Sequence, residues 1–220
     1  MSELDRRRLG RRCPGLPVEV VPNGVDVTYF IPQPAARDNK SVVYVGHYGY
    51  PPNADAAQYF VQAIWPLIRS RIPEAQFIAV GMQPPAGLAG HPGVTVTGAV
   101  PDVRPYLADA AVVVAPLRVG GGTRIKIVEA LAAGKAVVST TLGAEGLDVV
   151  AGRDLLLADE PQTFAAAVAD LLANPGLRAD LGRNGRALVE QNYNWDCLAQ
   201  KQEQIFIRLA NRARQRRVPT

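Results

Sequence analysis

The sequence predicts an α/β fold, a doubly wound parallel sheet with helices on both faces, formed as a single domain. Short apolar runs such as Val42–Val45 and Val112–Val114 lack polar alternation, which is typical of strands buried on both faces. Helical segments alternate with these runs throughout the chain. In such a fold a ligand binds at the carboxyl ends of the strands.

The composition is that of an ordinary globular protein. The 220 residues are 48% hydrophobic and 20% charged, and no apolar run has the length of a membrane span. The charged N-terminus has no apolar core, so it is not a secretory signal. Cys13 and Cys197 lie far apart, and with only two histidines they indicate neither a disulfide framework nor a metal site. We expect a cytoplasmic protein without a metal.

The net charge of +4 comes largely from the two ends. Solvated termini are the first interpretation, and an anionic membrane surface is an alternative partner. Nucleic acid is not expected, because no zinc-finger spacing or RNP motif is present. The clustered arginines are Arg6, Arg7, Arg8, Arg11 and Arg12 at the start, and Arg208, Arg212, Arg214, Arg216 and Arg217 at the end.

The first 40 residues are predicted to lie outside the compact domain. Ser2–Arg12 has the composition of a polar helix, and Val18–Val21 of a short strand that the turn sequence PNG ends. Residues 31–40 are proline-rich and polar, which indicates a linker. The predicted divisions are therefore 1–40, 41–194 for the ligand-binding domain, and 195–220 for a final helix with a basic tail.

Strands and helices alternate from Ser41 onward. The strand Val42–Val45 leads into the glycine-containing loop Gly46–Asn53, and Asn53 is predicted to cap a helix that runs to about Arg71. The other predicted elements are strands at Gln76–Val80, Val94–Val96, Ala111–Val114, Ala136–Val138 and Leu155–Leu157, and helices at Pro101–Ala108, Gln162–Ala173, Pro175–Gln191 and Trp195 to about Arg214.

The stretch GGGTRIKIVEALAAGKAVVST, which begins at Gly120, is the strongest functional signal. Its three glycines let the backbone approach a ligand closely. Thr123 is the predicted N-cap of a helix over Arg124–Ala133, which Gly134 ends. Free N–H groups and the positive end of the helix dipole suit a phosphate.

Gly122, Lys126 and Glu129 are predicted to share one side of this helix. On this interpretation Lys126 counters phosphate charge, and Glu129 accepts hydrogen bonds from sugar hydroxyls. Arg124 falls nearer the apolar side. The alternative is that Lys126 and Glu129 form an ordinary surface pair, worth only a few tenths of a kcal/mol.

Four stretches together resemble the nucleotide-sugar-binding half of GT-B glycosyltransferases of the retaining family 4 type. They are VVPNGVD from Val20, the glycine stretch, the following GAEGL, and NYNWD before the last helix. The resemblance implies a Rossmann-like domain that binds a UDP- or GDP-sugar donor, with no cofactor and no obligatory metal.

The resemblance also implies that residues 1–40 are the end of an acceptor-binding N-terminal domain and its linker. Nearly all of that domain would then be missing or on a separate chain, and the 220 residues alone would be incomplete or inactive. The last helix would cross back to the acceptor domain, leaving an apolar set exposed: Leu198, Ile205, Phe206 and Leu209.

Site residues follow from the same resemblance. Glu129 matches the glutamate that holds the donor ribose, and the remaining matches are Gly122, Thr123 and Arg124 for the diphosphate and sugar, Gly46 and His47 for the first loop, and Gly98 to Val100 for the base. A second glutamate of the family falls on Gly121, and the cations that the family carries in the first loop are absent. We expect Arg124 and Lys126 to stabilise the diphosphate leaving group instead.

Two other functions stay open. A non-catalytic nucleotide-sugar-binding module is compatible with Gly121 in place of a glutamate. An NAD-dependent dehydrogenase is disfavoured, because no G-x-G-x-x-G follows the first strand.

Overall fold

A computed structural model of the chain describes residues 2–33, 40–122 and 124–215, with side chains as far as residue 211. It contains a six-stranded sheet in the order β3-β2-β1-β4-β5-β6, in which every pairing is parallel. The doubly wound α/β prediction is therefore confirmed. The strands are β1 (Ser41–Val45), β2 (Gln76–Val80), β3 (Val94–Gly98), β4 (Val112–Ala115), β5 (Val137–Ser139) and β6 (Leu156–Leu157).

The helices between the strands fall close to the predicted bounds. They are α1 (Glu3–Arg12), α2 (Pro51–Tyr59), a π turn (Phe60–Ile64), α3 (Trp65–Arg71), a 3-10 turn (Leu88–Gly90), α4 (Arg104–Asp109), α5 (Ile125–Ala132), α6 (Pro161–Ala173), α7 (Pro175–Asn192) and α8 (Trp195–Gln215).

The strand order places a crevice between β1 and β4. The chain runs outward from β1 to β3 on one side and from β4 to β6 on the other, and right-handed crossovers then put the connecting helices on opposite faces. α3 packs on α6, and α5 packs on α7. Ligands of such sheets bind where the strand order reverses, which here is the carboxyl end of β1 and β4.

The helix that follows β1 contains a π turn because of a proline. Pro66 has no N–H to donate to the preceding turn, and the Trp65 amide donates to the Phe60 carbonyl five residues back. The turn points Phe60 into an aromatic cluster, with ring centroids 4.5 Å from Phe77 and 6.1 Å from Phe164. Packing of this cluster holds the helix on the sheet, so the helix continues through the π turn.

Three local predictions are wrong. Val18–Val21 is not a strand, since no strand of the described residues lies beside it to pair with it. Asn53 is not the N-cap: Tyr50 occupies that position, with proline at the first helical residue. Leu198 is 5% exposed rather than left open, whereas Phe206 and Leu209 are exposed as expected, and Ile205 is half-buried.

The segment before the sheet and the start of α8 meet at one point. The Val25 amide donates to the Tyr193 carbonyl at 2.8 Å, and the Trp195 amide donates to the Val25 carbonyl at 3.3 Å. Residues 25–33 then lie against the domain, with Phe30 buried and its carbonyl bound by Arg186 at 2.6 Å. Across the described part of the chain, no helix has the length and apolarity to span a membrane.

Candidate donor site

Two loops meet at the crevice between β1 and β4. The loop after β1 is tied to the neighbouring strand end, since the Gly46 amide donates to the Val80 carbonyl at 2.9 Å and the Tyr48 amide to the Met82 carbonyl at 3.0 Å. His47 Nε2 lies 3.1 Å from Gln83 Oε1. The loop is thus held at the carboxyl edge of the sheet, where the sequence placed Gly46 and His47.

Asn53 connects this loop to the end of β1. Its amide Nδ2 donates to the His47 carbonyl at 2.8 Å, and its Oδ1 accepts from the Tyr44 hydroxyl at 3.2 Å. Only 9% of Asn53 is exposed. Pro51 already begins the helix, so the amide side chain is available to organise the loop instead of capping the helix.

Lys126 reaches into the same cluster from α5. Its Nζ donates to Asn53 Oδ1 at 2.6 Å and to the Tyr44 hydroxyl at 2.9 Å. Burial, together with the charge of Arg124, lowers the pKa of Lys126 to about 7. Lys126 is therefore turned into the crevice and does not behave as half of an ordinary surface pair.

Glu129 lies one turn further along α5 and is half-buried. Burial raises the pKa of Glu129 to about 7, and the charge of Lys126 opposes this. A carboxyl group in such a position is a strong hydrogen-bond acceptor when ionised. Lys126 and Glu129 thus share one side of the helix, as the three-residue spacing predicted.

Arg124 is the N-cap residue of α5 and is 6% exposed. Its guanidinium donates to the Leu142 carbonyl at 2.8 Å and to the carbonyls of Gly121 and Gly120 at 3.4 and 3.5 Å. Its buried Nε has no partner among the described residues. Arg124 therefore contacts the glycine loop through the carbonyl groups of Gly120 and Gly121. Thr123, the predicted N-cap, lies outside the described residues.

The glycine loop is packed on α2 at one end and open at the other. Gly120 has φ +104°, and a Cβ there would lie 2.9 Å from Pro52 Cγ. Arg118 pairs with Asp55 at 2.6 Å and stacks 4.2 Å from the Tyr59 ring centroid. Beside Gly121 and Gly122, by contrast, a Cβ would meet no described atom within 4 Å. The open end is where a ligand has access to the backbone.

Gly98 ends β3 and Val100 comes shortly after it, two strands away from β1. The Gly98 carbonyl accepts from the Gly81 amide at 3.1 Å, and Val100 is partly buried against the core. The two residues therefore lie at the same carboxyl edge as the crevice, and β2 lies between them and it.

A cavity of about 380 Å³ lies beside the glycine loop. Gly121, Gly122 and Arg124 line one side of it, and Ser2, Asp5 and Arg8 of the α1 region line the other. Arg8 also pairs with Glu145 at 3.2 Å. The volume falls in the range of small-molecule sites, about 300–1,000 Å³.

No group of three or more potential metal ligands occurs among residues 2–33, 40–122 and 124–215. The residues that sequence reasoning missed are Tyr44 and the site role of Asn53. Tyr44 lies inside an apolar strand, where an aromatic side chain is an expected core residue and its hydroxyl gives no signal of its own.

Comparison with protein families matches residues 39–174 to the family described as glycosyl transferases group 1. The chain is 31% identical over 222 residues to phosphatidyl-myo-inositol mannosyltransferase of Mycolicibacterium smegmatis, covering 94% of this chain and 55% of that protein. It is 30% identical to the GDP-mannose-dependent alpha-(1-6)-phosphatidylinositol monomannoside mannosyltransferase of Mycobacterium tuberculosis, covering 86% and 55%. The chain thus spans about half the length of these relatives.

Solved structures share the fold at lower sequence identity. TarM of S. aureus, solved in a complex that includes UDP, superimposes with a TM-score of 0.77 at 16% identity. The match covers 94% of this chain and 43% of TarM. The chain has the architecture of a GT-B C-terminal half.

Proposed function

The chain belongs to the group 1 glycosyltransferases, and we propose that it is a donor-binding half that binds a nucleoside-diphosphate sugar for retaining transfer. The observation that carries this proposal is that Lys126 and the glycine loop both contact the start of α2, at Asn53 and Pro52, beside the β1–β4 crevice. The preferred donor is GDP-mannose, because the M. tuberculosis relative is named as GDP-mannose-dependent. A UDP-sugar is the alternative donor, in keeping with the UDP in the TarM complex.

In this proposal the diphosphate lies against the glycine loop and the start of α5. Backbone N–H groups and the helix dipole bind its oxygens, and Lys126 adds a positive charge within reach of the crevice. Arg124 supports the loop, and its unpartnered Nε is a second donor in the same region. Stabilising the departing diphosphate is the main contribution that such groups make to glycosyl transfer.

Glu129 is assigned to the donor ribose. Its carboxyl group lies one turn beyond Lys126, on the same side of α5. A ribose offers two neighbouring hydroxyl donors, which a single carboxylate binds well. Gly98 and Val100 are assigned to the base, further along the carboxyl edge, and Gly46, His47 and Gly121 to the remaining donor contacts.

The acceptor is proposed to bind to an N-terminal GT-B domain that the 220 residues do not contain. The chain spans 55% of the first mannosyltransferase relative, and α8 exposes Phe206 and Leu209. Because the donor groups of a GT-B enzyme act on an acceptor across the cleft, the isolated chain is expected to bind donor without transferring sugar. A donor-binding module without catalysis is the second candidate, favoured by Gly121 at the position of a family glutamate.

The basic residues of α1 are proposed to contact an anionic membrane surface. Arg7, Arg11 and Arg12 are exposed, and each exposed cation near such a surface contributes about 1 kcal/mol. Cosedimentation with vesicles that contain an anionic lipid, against neutral vesicles, tests the contact. Equal recovery with both vesicle types would exclude it.

The donor assignment is tested by calorimetric titration with GDP, UDP, GDP-mannose and UDP-glucose. We expect the wild-type chain to bind at least one of these ligands. Glu129→Ala should lower the affinity about tenfold or more, because a hydrogen bond to a charged group contributes about 1.5–3 kcal/mol. Glu203→Ala on α8 is the matched control, because Glu203 is exposed and distant in sequence from the crevice elements. A folded wild-type chain that binds none of the four would refute the proposal.

Sugar transfer is tested separately, by adding an acceptor domain from a relative to the chain. Transfer that requires both proteins identifies the chain as a donor half. Donor binding without transfer under any pairing supports the non-catalytic module.

A further inference from the structure

We propose that Asn53 is a positioning residue: with Tyr44, it holds the ammonium of Lys126 at the end of β1, so that a cation from α5 serves the loop that follows β1. The inference rests on the proposed function, because the anion that it implies is the diphosphate of the donor. It adds Asn53 to that function as the residue that orients the charged ammonium of Lys126.

The loop itself brings no permanent cation to the crevice. Its sequence, GHYGYPPN from Gly46, contains neither lysine nor arginine. The cation that reaches it is Lys126, whose Nζ lies 2.6 Å from Asn53 Oδ1. The same Asn53 side chain donates to the His47 carbonyl at 2.8 Å. One amide group therefore links the cation on α5 to the loop backbone.

Asn53 is not required for the start of α2. Tyr50 is the N-cap and proline follows it, and the Asn53 contribution is a backbone one, its amide donating to the Tyr50 carbonyl at 2.9 Å. A nearly buried polar side chain is costly unless its hydrogen bonds are made. The contacts that compensate Asn53 all lead to Tyr44, His47 and Lys126, so its role lies in the crevice.

The hydrogen-bond partners of Lys126 carry no charge, although its Nζ also lies 4.4 Å from the Tyr44 ring centroid and Glu129 acts on it through space. Both acceptors are neutral oxygens, and no ion pair among the described residues includes Lys126. The other charged or titratable groups near it are Arg124 and Glu129 on α5, Tyr48 beside Tyr44, and Asp55 on α2, which pairs with Arg118.

Neutral acceptors orient an ammonium without cancelling its charge. Two of its three N–H donors are used by Asn53 and Tyr44, and the third is the one proposed to serve the ligand. The neutral acceptors supply no negative charge to this half-buried ammonium, and the diphosphate is proposed to supply it. An amide at residue 53 orients the ammonium without neutralising it, whereas a carboxylate would neutralise it.

The test compares donor affinity with nucleoside affinity in a double-mutant cycle. The ligands are GDP-mannose and guanosine, or UDP-glucose and uridine if the wild type prefers those. Lys126→Met should weaken sugar-nucleotide binding by about tenfold or more and leave nucleoside binding unchanged. Asn53→Leu should weaken sugar-nucleotide binding by about three- to tenfold, and add little further loss to Lys126→Met, because the two residues act as one.

The control is Asn184→Leu. Asn184 is an exposed asparagine on α7 whose amide also donates to a backbone carbonyl, that of Arg153 at 3.1 Å. It should change neither affinity.

A second measurement uses Asn53→Asp, which keeps the shape of the side chain in case Asn53→Leu does not fold. A sugar nucleotide has no phosphate proton that titrates near neutrality, so its binding reports on the protein. Lys126 loses its proton above about pH 7 and Glu129 ionises in the same range, so the profiles of the variants are compared: the fall in affinity that belongs to Lys126 is the part that Lys126→Met lacks. In Asn53→Asp the fall should move to higher pH, since a carboxylate favours the ammonium, while affinity at pH 6 drops.

Three results would overturn the inference while leaving the proposed function intact. They are equal losses for nucleoside and sugar nucleotide in Asn53→Leu, an undiminished effect of Asn53→Leu in the Lys126→Met background, and an unmoved alkaline fall in Asn53→Asp. A wild-type chain that binds no nucleotide at all would instead overturn the proposed function, and the inference with it.

Discussion

Lys126 combines a cost in stability with the role in binding proposed above. Its ammonium is held away from bulk water by Tyr44 and Asn53, and burial depresses its pKa. A charge kept in such a place lowers the free energy of unfolding of the empty protein. The proposed diphosphate removes the cost by supplying the missing negative charge.

Lys126→Met should therefore stabilise the ligand-free protein at pH 6, on the order of 1 kcal/mol. This advantage of Lys126→Met over the wild type in free energy of unfolding should shrink as the pH rises. Between the folded pKa of about 7 and the ordinary value of 10.5, the unfolded chain binds a proton that the folded wild type has lost, so wild-type stability increases relative to the variant.

Urea unfolding of both proteins at several pH values, in phosphate-free buffer, measures the difference. The exposed Lys201→Met on α8 is the control and should show no such pH dependence. A constant difference between wild type and Lys126→Met across pH 6 to 10 would contradict the lowered pKa.

The site residues differ in how far the sequence could predict them. Lys126 and Glu129 were predictable, because helical spacing places them together and a glycine run precedes them. Asn53 was assigned the wrong role, since asparagine is also a common N-cap. The two prolines before it, at the first helical positions, contain the signal that the helix starts earlier. Tyr44 had no signal, because its partners are distant in sequence.

At the scale of elements, the glycine loop works as a clamped turn. Its first part is fixed to α2 through Arg118, Asp55 and Pro52, and its second part stays open. We expect Gly120→Ala to cost about 1–3 kcal/mol in unfolding free energy, because alanine is strained at φ +104°.

Gly121→Ala is the matched comparison to Gly120→Ala. It is the next residue in the same loop, but an added Cβ meets no described atom there, so the cost should stay within about 0.5 kcal/mol. Thermal and urea unfolding of both variants decide the point. Equal costs would mean that the loop is not clamped at Gly120.

Element positions were largely predictable, and their exceptions have physical causes. The buried strands are short, apolar and bounded by glycine or proline, so period and length identify them. Val18–Val21 has a similar composition, but within the part of the chain that the structure describes no strand lies beside it. Strand pairing is a tertiary property that local sequence does not encode. The π turn follows from Pro66, but only because the surrounding aromatic cluster keeps the helix continuous.

At the scale of the whole molecule, the apolar residues of α8 fall into two groups, one buried in the domain and one exposed. Leu198 is 5% exposed, whereas Phe206 and Leu209 are 60% and 54% exposed. Leu198→Ala should cost about 2–5 kcal/mol. A double substitution of Phe206 and Leu209 by glutamine should change stability by less than about 0.5 kcal/mol each.

The same double variant should weaken association with an acceptor domain, measured by calorimetry or sedimentation. Wild-type affinity in that assay would show that the exposed residues are not part of the contact. The overall fold could be predicted because strand order follows from alternation and handedness, whereas the contact proposed for α8 depends on residues that local sequence patterns do not identify.

The bridge between Val25 and the residues around Asn194 brings the two flanks of the domain together. Because the chain joins and leaves the sheet domain side by side, residues 25–194 form a cassette with adjacent ends. Insertion into a surface loop of another protein is generally tolerated where the two ends of the inserted unit lie close together. Because the two junctions lie at one point, the host loop would not have to span the width of the domain.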